Sequence, residues 1–243
     1  MTNRKLYLIG TIHLDPDGRE RLDHILERLS PSIIALEFNK NKEESYNSLQ
    51  YSQRIERKIC SLARRAGFTS KEISNFIEDD KKLRKSTNFE YSSCKSYEEK
   101  NSSSELCYID LESCIDKSRA PDQYFEDFIR SLLKNKGRKK RFLERMNNPT
   151  RYEEHEKELR ETFKVLYKNP KCLSKEYMDK CNSSPDEIYN LKRDENMEKK
   201  IRRLYNGSRL VSIVGLSHLL GLKERLSDLN PTAMTLADYK SIK

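Results

Sequence analysis

The chain has 243 residues and a formal net charge of +9, and only 35% of its residues are hydrophobic. This length fits one large domain or two small ones, and a chain of this size can bury about 70–75% of its unfolded surface. No apolar run approaches the roughly 18 residues of a membrane-spanning helix. The apolar segment near the start is too short for a signal-peptide core, and the six Cys form no CxxC pair. We therefore expect a cytoplasmic protein with reduced thiols and no zinc knuckle.

Four short apolar runs without strict alternation predict strands that are buried on both faces. They lie at residues 5–9, 32–38, 106–111 and 210–214, with the sequences KLYLI, SIIALEF, LCYIDL and LVSIV. The first run is followed by Asp15-Pro16, which predicts a helix N-cap and first helical position, and by an apolar stripe that Pro31 ends. Strand, helix and strand in succession predict a βαβ unit with a right-handed crossover.

Two long and mostly helical segments separate the predicted strands. The first, residues 43–105, ends in the serine-rich tract Ser86–Ser104, which we expect to be a mobile loop because it has no apolar period. In the second, residues 121–205, Pro121 opens one predicted helix and Ser184-Pro185 opens another. The predicted fold is a single α/β domain, residues 1–243, with a small, mostly parallel central sheet and helical insertions at about 43–105 and 121–205.

Two Gly-x-x-His motifs share one spacing and one context. Gly10-Thr11-Ile12-His13 and Gly215-Leu216-Ser217-His218 each follow a predicted buried strand and precede a predicted helix, where glycine lets the chain turn sharply. Chance gives about 0.1 such motifs from seven Gly and four His. Two imidazoles at the carboxyl edge of a parallel sheet could bind a divalent transition metal, or one could be a general base. The alternative is that each His only packs at its helix start.

Three further residues are candidates for the same edge. Glu37 ends the second predicted strand, where a buried carboxylate needs a hydrogen-bonded, charged or metal partner. Asp110 closes the third strand in the same way, with a simple strand-end turn as the alternative. Arg193 lies in the last long helix, where it could face a bound anion or belong to an ordinary charged surface.

The chain has no GxSxG, GxxxxGK[ST], GxGxxG or HExxH motif, so serine-hydrolase, P-loop, dinucleotide and zincin functions have no support.

At these residues the sequence resembles the TraB/PrgY–GumN–Tiki superfamily, whose fold is EreA/ChaN-like. The family's opening strand with G-T-x-H is similar to LYLIGTIHLDP, its strand glutamate to Glu37, and its closing strand with G-x-x-H to LVSIVGLSHLLG. The family's Asp-Arg pair keeps Asp110 but has Leu111 here. Its Glu-Arg-Asp triplet keeps Arg193-Asp194 but has Lys192. The five markers occur in the family's order along the whole chain.

The resemblance implies a metal-dependent hydrolase that acts on a peptide or a small amide or ester, and in the Tiki branch a metalloprotease. His13 and His218 would be ligands of a divalent transition metal (Mn, Co or Zn), and Glu37 would be a ligand or the general base. Arg193 would stabilise an oxyanion or bind a substrate carboxylate, with Asp110 in the same catalytic group. The TraB/PrgY branch is linked to shutting off peptide pheromone signals, which suits a peptide substrate.

Two other functions stay open. A non-catalytic protein of the same fold could sequester a peptide or a cofactor, and the Leu111 and Lys192 departures favour this alternative. A nucleic acid could dock on the basic stretch Lys134–Arg145, with steep salt dependence. No nucleic-acid-binding signature accompanies this stretch, and acids and bases alternate elsewhere, so we expect an ordinary charged surface. No oligomeric state follows from the sequence.

Overall fold

The computed structural model describes residues 5–40, 49–86, 89–111, 129–148, 150–171 and 186–241. Within these ranges the chain alternates strands with helices or groups of helices. The elements in chain order are β1 (Lys5–Thr11), α1 (Gly18–Leu29), β2 (Ile33–Leu36), α2 (Leu49–Arg65), α3 (Ser70–Ser86), α4 (Phe89–Lys100), β3 (Glu105–Tyr108), α5 (Lys136–Asn147), α6 (Arg151–Lys168), α7 (Asp186–Leu204), β4 (Arg209–Gly215), α8 (Leu216–Arg225) and β5 (Thr232–Thr235), with short 3₁₀ turns at Ser227–Leu229 and Leu236–Ser241.

The strands of the described residues form one parallel sheet in the order β3-β2-β4-β1-β5. Strand β4 is central: it pairs in parallel with β1, where Thr11 is in register with Gly215, and with β2, where Leu36 is in register with Ile213. Strands β3 and β5 are the edges, and they are also parallel to their neighbours. The predicted α/β class with a central parallel sheet is confirmed, and each of the four predicted strands is present.

The core explains how a chain with few apolar residues folds. Strands β1, β2 and β4 are nearly continuous runs of buried side chains, as expected for parallel strands covered on both faces. Helix α1 buries the apolar stripe that its spacing predicts, and each such side chain stabilises the fold by about 1.5–3 kcal/mol. The stripe consists of Leu22, Ile25, Leu26 and Leu29.

The described parts of the long connections are largely helical, as predicted. Helices α2, α3 and α4 lie between β2 and β3, and α5, α6 and α7 lie between β3 and β4. Pro121 and the Ser184-Pro185 pair lie outside the described residues, whereas residues 129–134 are helical and α7 begins directly at Asp186. A parallel strand pair requires such crossovers, because no tight turn can join two parallel strands.

The expectation of a mobile loop over Ser86–Ser104 is wrong. Most of this tract is helix α4, which buries Phe89, Tyr91, Ser93 and Cys94. A Cβ on Gly18 would lie 2.4 Å from Cζ of Phe89, so glycine lets the ring sit directly against the start of α1. The tract shows no apolar period because small and polar side chains share its buried face, and tertiary packing stabilises it.

Two element boundaries also differ from the prediction. Helix α1 begins at Gly18 with Asp17 as its N-cap, not at Asp15-Pro16. Asp15 instead forms a turn before the helix, in which its carbonyl accepts the N–H of Gly18. Strand β5 was not predicted, because TAMT at Thr232–Thr235 has a weak apolar pattern and pairs only at the edge of the sheet.

By its contacts the chain divides into two compact units. The first comprises Met1–Asn39, Ser86–Leu111 and Glu158–Lys243 and contains the sheet. The second comprises Lys40–Lys85 and Glu112–Lys157. The single-domain interpretation of the sequence stays a prediction. The second unit has a hydrophobic core of its own. That core includes Ala63, Ala66, Phe68, Ile73, Ile129 and Leu132.

The glycine of the first Gly-x-x-His motif, Gly10, allows close packing. Among the described glycines, positive φ angles occur at Gly67 and Gly207, so neither motif glycine adopts the left-handed backbone conformation. A Cβ on Gly10 would lie 2.8 Å from side-chain atoms of both Leu216 and Leu219. Glycine at this position therefore allows α8 to approach β1 closely.

Candidate functional site

The carboxyl edge of the sheet brings the ends of β2, β4 and β1 side by side. Thr11 and Gly215 are in register at the ends of β1 and β4, and Glu37, one residue beyond β2, donates its N–H to a β4 carbonyl at 2.9 Å. His13 follows β1 by two residues, and His218 lies in the first turn of α8, which begins directly after β4. The strand order therefore places the two histidine motifs and Glu37 at one edge of the sheet.

Glu37 is buried at the centre of this edge, and both of its carboxylate oxygens accept hydrogen bonds. Oε2 accepts the backbone N–H of Gly215 at 2.6 Å, and Oε1 accepts Nη2 of Arg193 at 2.5 Å. Oε1 also lies 3.5 Å from Nε2 of His218. The Glu37 side chain thus connects the end of β2 with β4, α7 and α8.

Arg193 connects Glu37 to Asp110. Its Nε donates to Oδ1 of Asp110 at 2.8 Å, and its Nη2 donates to Oδ2 at 3.0 Å, a bidentate geometry. One turn further along α7, Asn196 donates to the carbonyl of Ile109, and two turns further, Lys200 donates to the carbonyl of Asp110. Helix α7 is therefore fastened to the end of β3 as well as to Glu37.

His218 lies between two carboxylates. Its side chain is 4% exposed, and its Nδ1 lies 2.5 Å from Oδ1 of Asp194. Since an ionised carboxylate can only accept a hydrogen bond, this contact places a proton on Nδ1. Asp194 follows Arg193 on α7, so two successive residues of one helix hold His218 and Glu37.

His13 has a similar carboxylate partner that comes from a different helix. Its Nδ1 lies 2.8 Å from Oε1 of Glu90 in the first turn of α4. The same oxygen accepts the hydroxyl of Thr11 at 2.8 Å. Both motif histidines therefore have Nδ1 against a buried carboxylate, which is the usual way in which proteins orient a metal-ligating imidazole.

The charges of Glu37 and His218 stabilise each other. Burial acts to raise the pKa of Glu37, but the attraction of His218 and Arg193 and the Gly215 hydrogen bond outweigh it and lower that pKa. Burial acts to lower the pKa of His218, but Glu37 and Asp194 outweigh it and raise that pKa. His13 adds to the lowering of the Glu37 pKa, so it lies within electrostatic reach of this carboxylate.

The lowered pKa of Glu37 predicts a loss of stability in acid. A carboxyl whose pKa is lower in the folded than in the unfolded state stabilises the fold above its ordinary pKa, and this contribution disappears as the pH falls through the folded-state value. The difference in free energy of unfolding between wild type and Glu37→Gln should therefore shrink from about pH 5 to about pH 3. Urea unfolding in EDTA measures it, with Glu99→Gln on the exposed side of α4 as control. A difference that widens over this interval contradicts the assignment.

A second network holds the loop that carries His13. Tyr167, on α6, accepts the N–H of Ile12 at 3.1 Å and donates its hydroxyl to Oδ2 of Asp15 at 3.0 Å. Arg21 donates to the same oxygen at 3.0 Å. Burial raises the pKa of Asp15, and although Arg21 and Tyr167 act against it, the pKa stays above its ordinary value. Asp15, predicted to be a helix cap, is thus a buried anchor for the loop before α1.

Removal of the Tyr167 hydroxyl should loosen this loop. Tyr167→Phe deprives the Ile12 N–H and the Asp15 carboxyl of one partner each, so we expect the free energy of unfolding to fall by about 1–3 kcal/mol. Thermal or urea unfolding measures this loss, and Tyr205→Phe, at a half-buried position outside the network, is the control. Equal stability of the two variants would show that the network does not hold the loop.

The residues that could hold a metal are His13, His218 and Glu37, as the resemblance implies. In the part of the chain that the structure describes, no three His, Cys, Asp or Glu side chains form a ready ligand group. The chemistry of His13, His218 and Glu37 nevertheless fits a divalent ion. Two imidazoles whose Nδ1 atoms face carboxylates leave Nε2 as the nitrogen that can bind an ion, and the buried carboxylate of Glu37 lies 3.5 Å from Nε2 of His218.

The strand-end and helix patterns predicted most of the residues at this sheet edge, gave Asp194 no role, and missed Glu90 and Tyr167. Glu37, Asp110, Arg193 and His218 are brought into contact, and His13 lies at the same sheet edge. Glu90 was missed because the tract around it was interpreted as a loop, and Tyr167 because α6 has no strand-end position. The only available signal was the position of Glu90 between two aromatic residues, in the triplet FEY.

Comparisons with known proteins add no assignment. No family model, no curated protein and no solved structure matches the chain. The resemblance to the TraB/PrgY–GumN–Tiki superfamily therefore stays a prediction. None of the helices in the described residues is both long enough and apolar enough to cross a membrane.

Proposed function

We propose that this protein is a metal-dependent hydrolase of a peptide or a small amide or ester, and that its site is the carboxyl edge of the sheet. The observation that carries the proposal is the matched pair of histidines at this edge. His13 and His218 follow neighbouring strands, and each has its Nδ1 against a buried carboxylate. A histidine that only packs at a helix start has no need of this arrangement, and its occurrence twice favours a shared task.

Charge supports a cationic cofactor at the same place. Glu37, Glu90, Asp110 and Asp194 each have a side chain that is 8% exposed or less. Among the described residues, the guanidinium of Arg193 pairs with two of these four carboxylates, so negative charge exceeds positive charge here even when His218 is protonated. Buried charge is costly without compensation, so a divalent cation bound by His13, His218 and Glu37 would relieve this excess. A bound ion would supply polarisation of the scissile carbonyl and a water acidic enough to react near neutral pH.

The residues of the chain then have distinct tasks. Glu90 and Asp194 orient His13 and His218 through Nδ1, so that Nε2 would be the ligand nitrogen of each neutral ring. Gly215 and Arg193 hold the Glu37 carboxylate. Its lowered pKa keeps Glu37 ionised but makes it a weak proton acceptor, which favours the ligand role over the general-base role. The oxyanion role expected of Arg193 stays a prediction.

A specific observation also favours a second candidate, a non-catalytic binding protein. Both oxygens of Glu37 already accept hydrogen bonds from the protein, and Arg193 is bidentate to Asp110. A closed ion-pair network of this kind can serve simply to maintain the fold while the edge binds a peptide or cofactor. Such a protein would bind its ligand saturably without turnover.

One experiment separates the two candidates. The purified protein is incubated with a peptide library and a panel of simple esters, in Mn²⁺, Co²⁺ or Zn²⁺ and in EDTA. The proposal expects a product that depends on metal and is absent from Glu37→Gln, while His24→Ala, on α1 outside the site, keeps the activity. Saturable peptide binding with no product under any metal would establish the binding protein instead.

A further inference from the structure

Glu90 is a buried carboxylate that no strand-end pattern indicates. Its side chain is 8% exposed, and one of its oxygens, Oε1, lies 2.8 Å from both Oγ1 of Thr11 and Nδ1 of His13. A buried carboxylate is tolerated only when such partners compensate its desolvation. Glu90 is thus hydrogen-bonded both to Thr11, the last residue of β1, and to His13, the first motif histidine.

His13 is much more exposed than the second motif histidine. Its side chain is 60% exposed, whereas that of His218 is 4% exposed. An exposed imidazole samples several rotamers unless a hydrogen bond holds it, and ordering it has an entropic cost. Glu90 offers His13 a fixed hydrogen-bond partner, because the Thr11 hydroxyl and the packing of α4 hold that carboxylate.

The position of Glu90 is fixed by the neighbouring helix. Phe89 is buried against α1 so closely that a Cβ on Gly18 would lie 2.4 Å from its ring. Glu90 is the next residue of the same turn, so its backbone is placed by this contact. Helix α4 is therefore the rigid element, and its residue Glu90 holds the exposed His13.

We propose that Glu90 is the positioning residue of His13: it keeps the imidazole proton on Nδ1, fixes the ring, and leaves Nε2 as the nitrogen that can bind a metal or accept a proton. What Nε2 then does rests on the proposed hydrolase function, but the tautomer does not. The pair Glu90–His13 thus has the same task as Asp194–His218, although the two carboxylates come from different helices.

The tautomer can be measured directly in the metal-free protein. Nitrogen chemical shifts of ¹⁵N-histidine distinguish a proton on Nδ1 from one on Nε2, and His13→Gln identifies the signals of His13. At about two pH units above the ordinary histidine pKa of roughly 6.5, we expect wild-type His13 to carry its proton on Nδ1. In Glu90→Ala the proton should redistribute toward Nε2, while in Glu99→Ala, on the exposed side of α4, it should not.

Several results would overturn the proposal. They are a wild-type His13 with its proton on Nε2, one protonated on both nitrogens, or an unchanged distribution in a folded Glu90→Ala protein. Circular dichroism shows whether the variant is folded, and if it is not, the wild-type tautomer decides alone.

Activity gives an independent readout. With a hydrolysed substrate, Glu90→Ala should lower kcat/KM by about 10- to 100-fold, the usual effect of removing a residue that orients a ligand, and Glu99→Ala should not. Unchanged kcat/KM in Glu90→Ala overturns the positioning role. If the wild type hydrolyses nothing, the proposed function fails while the nitrogen shifts still decide the role of Glu90.

Discussion

Replacement of Arg193 by leucine is expected to lower the free energy of unfolding by about 3–5 kcal/mol, because it leaves buried carboxylates without their cation. The Arg193 guanidinium binds Glu37 through Nη2 and Asp110 through Nε and Nη2. Both carboxylates have side chains that are 6% exposed or less, so water cannot replace the lost charge. Urea unfolding followed by circular dichroism measures the loss, and Arg193→Lys should restore part of it as a point charge.

A matched control lies on the same helix. Arg202 on α7 is also bidentate to a carboxylate, with Nη1 and Nη2 each 2.8 Å from an oxygen of Asp228. Asp228 is exposed, and solvent screens such a pair, so Arg202→Leu should cost much less than Arg193→Leu. If the two leucine variants lose the same stability, the network of Glu37, Arg193 and Asp110 is not the buried charge centre described above.

The two motif histidines should respond differently to alanine. His13 is 60% exposed but contacts the buried carboxylate of Glu90, so His13→Ala should lower the free energy of unfolding by only about 1–3 kcal/mol. Its hydrolytic activity should nevertheless fall by about 100-fold or more, because even the loss of a residue that merely orients a ligand costs about 10- to 100-fold. Steady-state kinetics and urea unfolding of the same preparation test both expectations.

His218→Ala should instead lose stability as well as activity. His218 is buried between Glu37 and Asp194, and its removal leaves these two carboxylates facing each other. We expect a loss of about 3 kcal/mol or more, the usual effect of breaking a buried pair. A loss of free energy of unfolding in His218→Ala as small as that of an exposed residue would contradict the assignment of the pair to one site. Wild-type kcat/KM in His13→Ala would contradict it as well.

The sheet could be predicted from the sequence because its strands are buried on both faces. Such strands are short, continuous apolar runs, and the runs of β1, β2 and β4 stand out in a chain that is only 35% hydrophobic. Strand β5 and helix α4 were not predicted, because neither is a continuous apolar run. The stability of both comes from neighbours that local spacing does not reveal, namely the edge of β1 and the face of α1.

The same distinction separates the predicted from the missed residues of the site. Glu37 and the two histidines follow strands, and strand ends converge in any parallel sheet. Glu90 approaches from a crossover helix, and its contact with His13 joins residues 77 positions apart. Arg193 was predicted to face an anion, and the anions that it contacts are carboxylates of the protein itself. Sequence position cannot reveal which helix will cover a sheet edge.

The most direct test of the account is the metal content of wild type and His13→Ala. Each protein is stripped with EDTA, equilibrated by dialysis with Mn²⁺, Co²⁺ or Zn²⁺, and analysed by atomic emission, with His24→Ala as the histidine control. We expect one of the three metals to bind stoichiometrically to wild type and to His24→Ala, and we expect His13→Ala, although folded, to lose it. Tight stoichiometric binding that survives in both His13→Ala and His218→Ala would contradict the account.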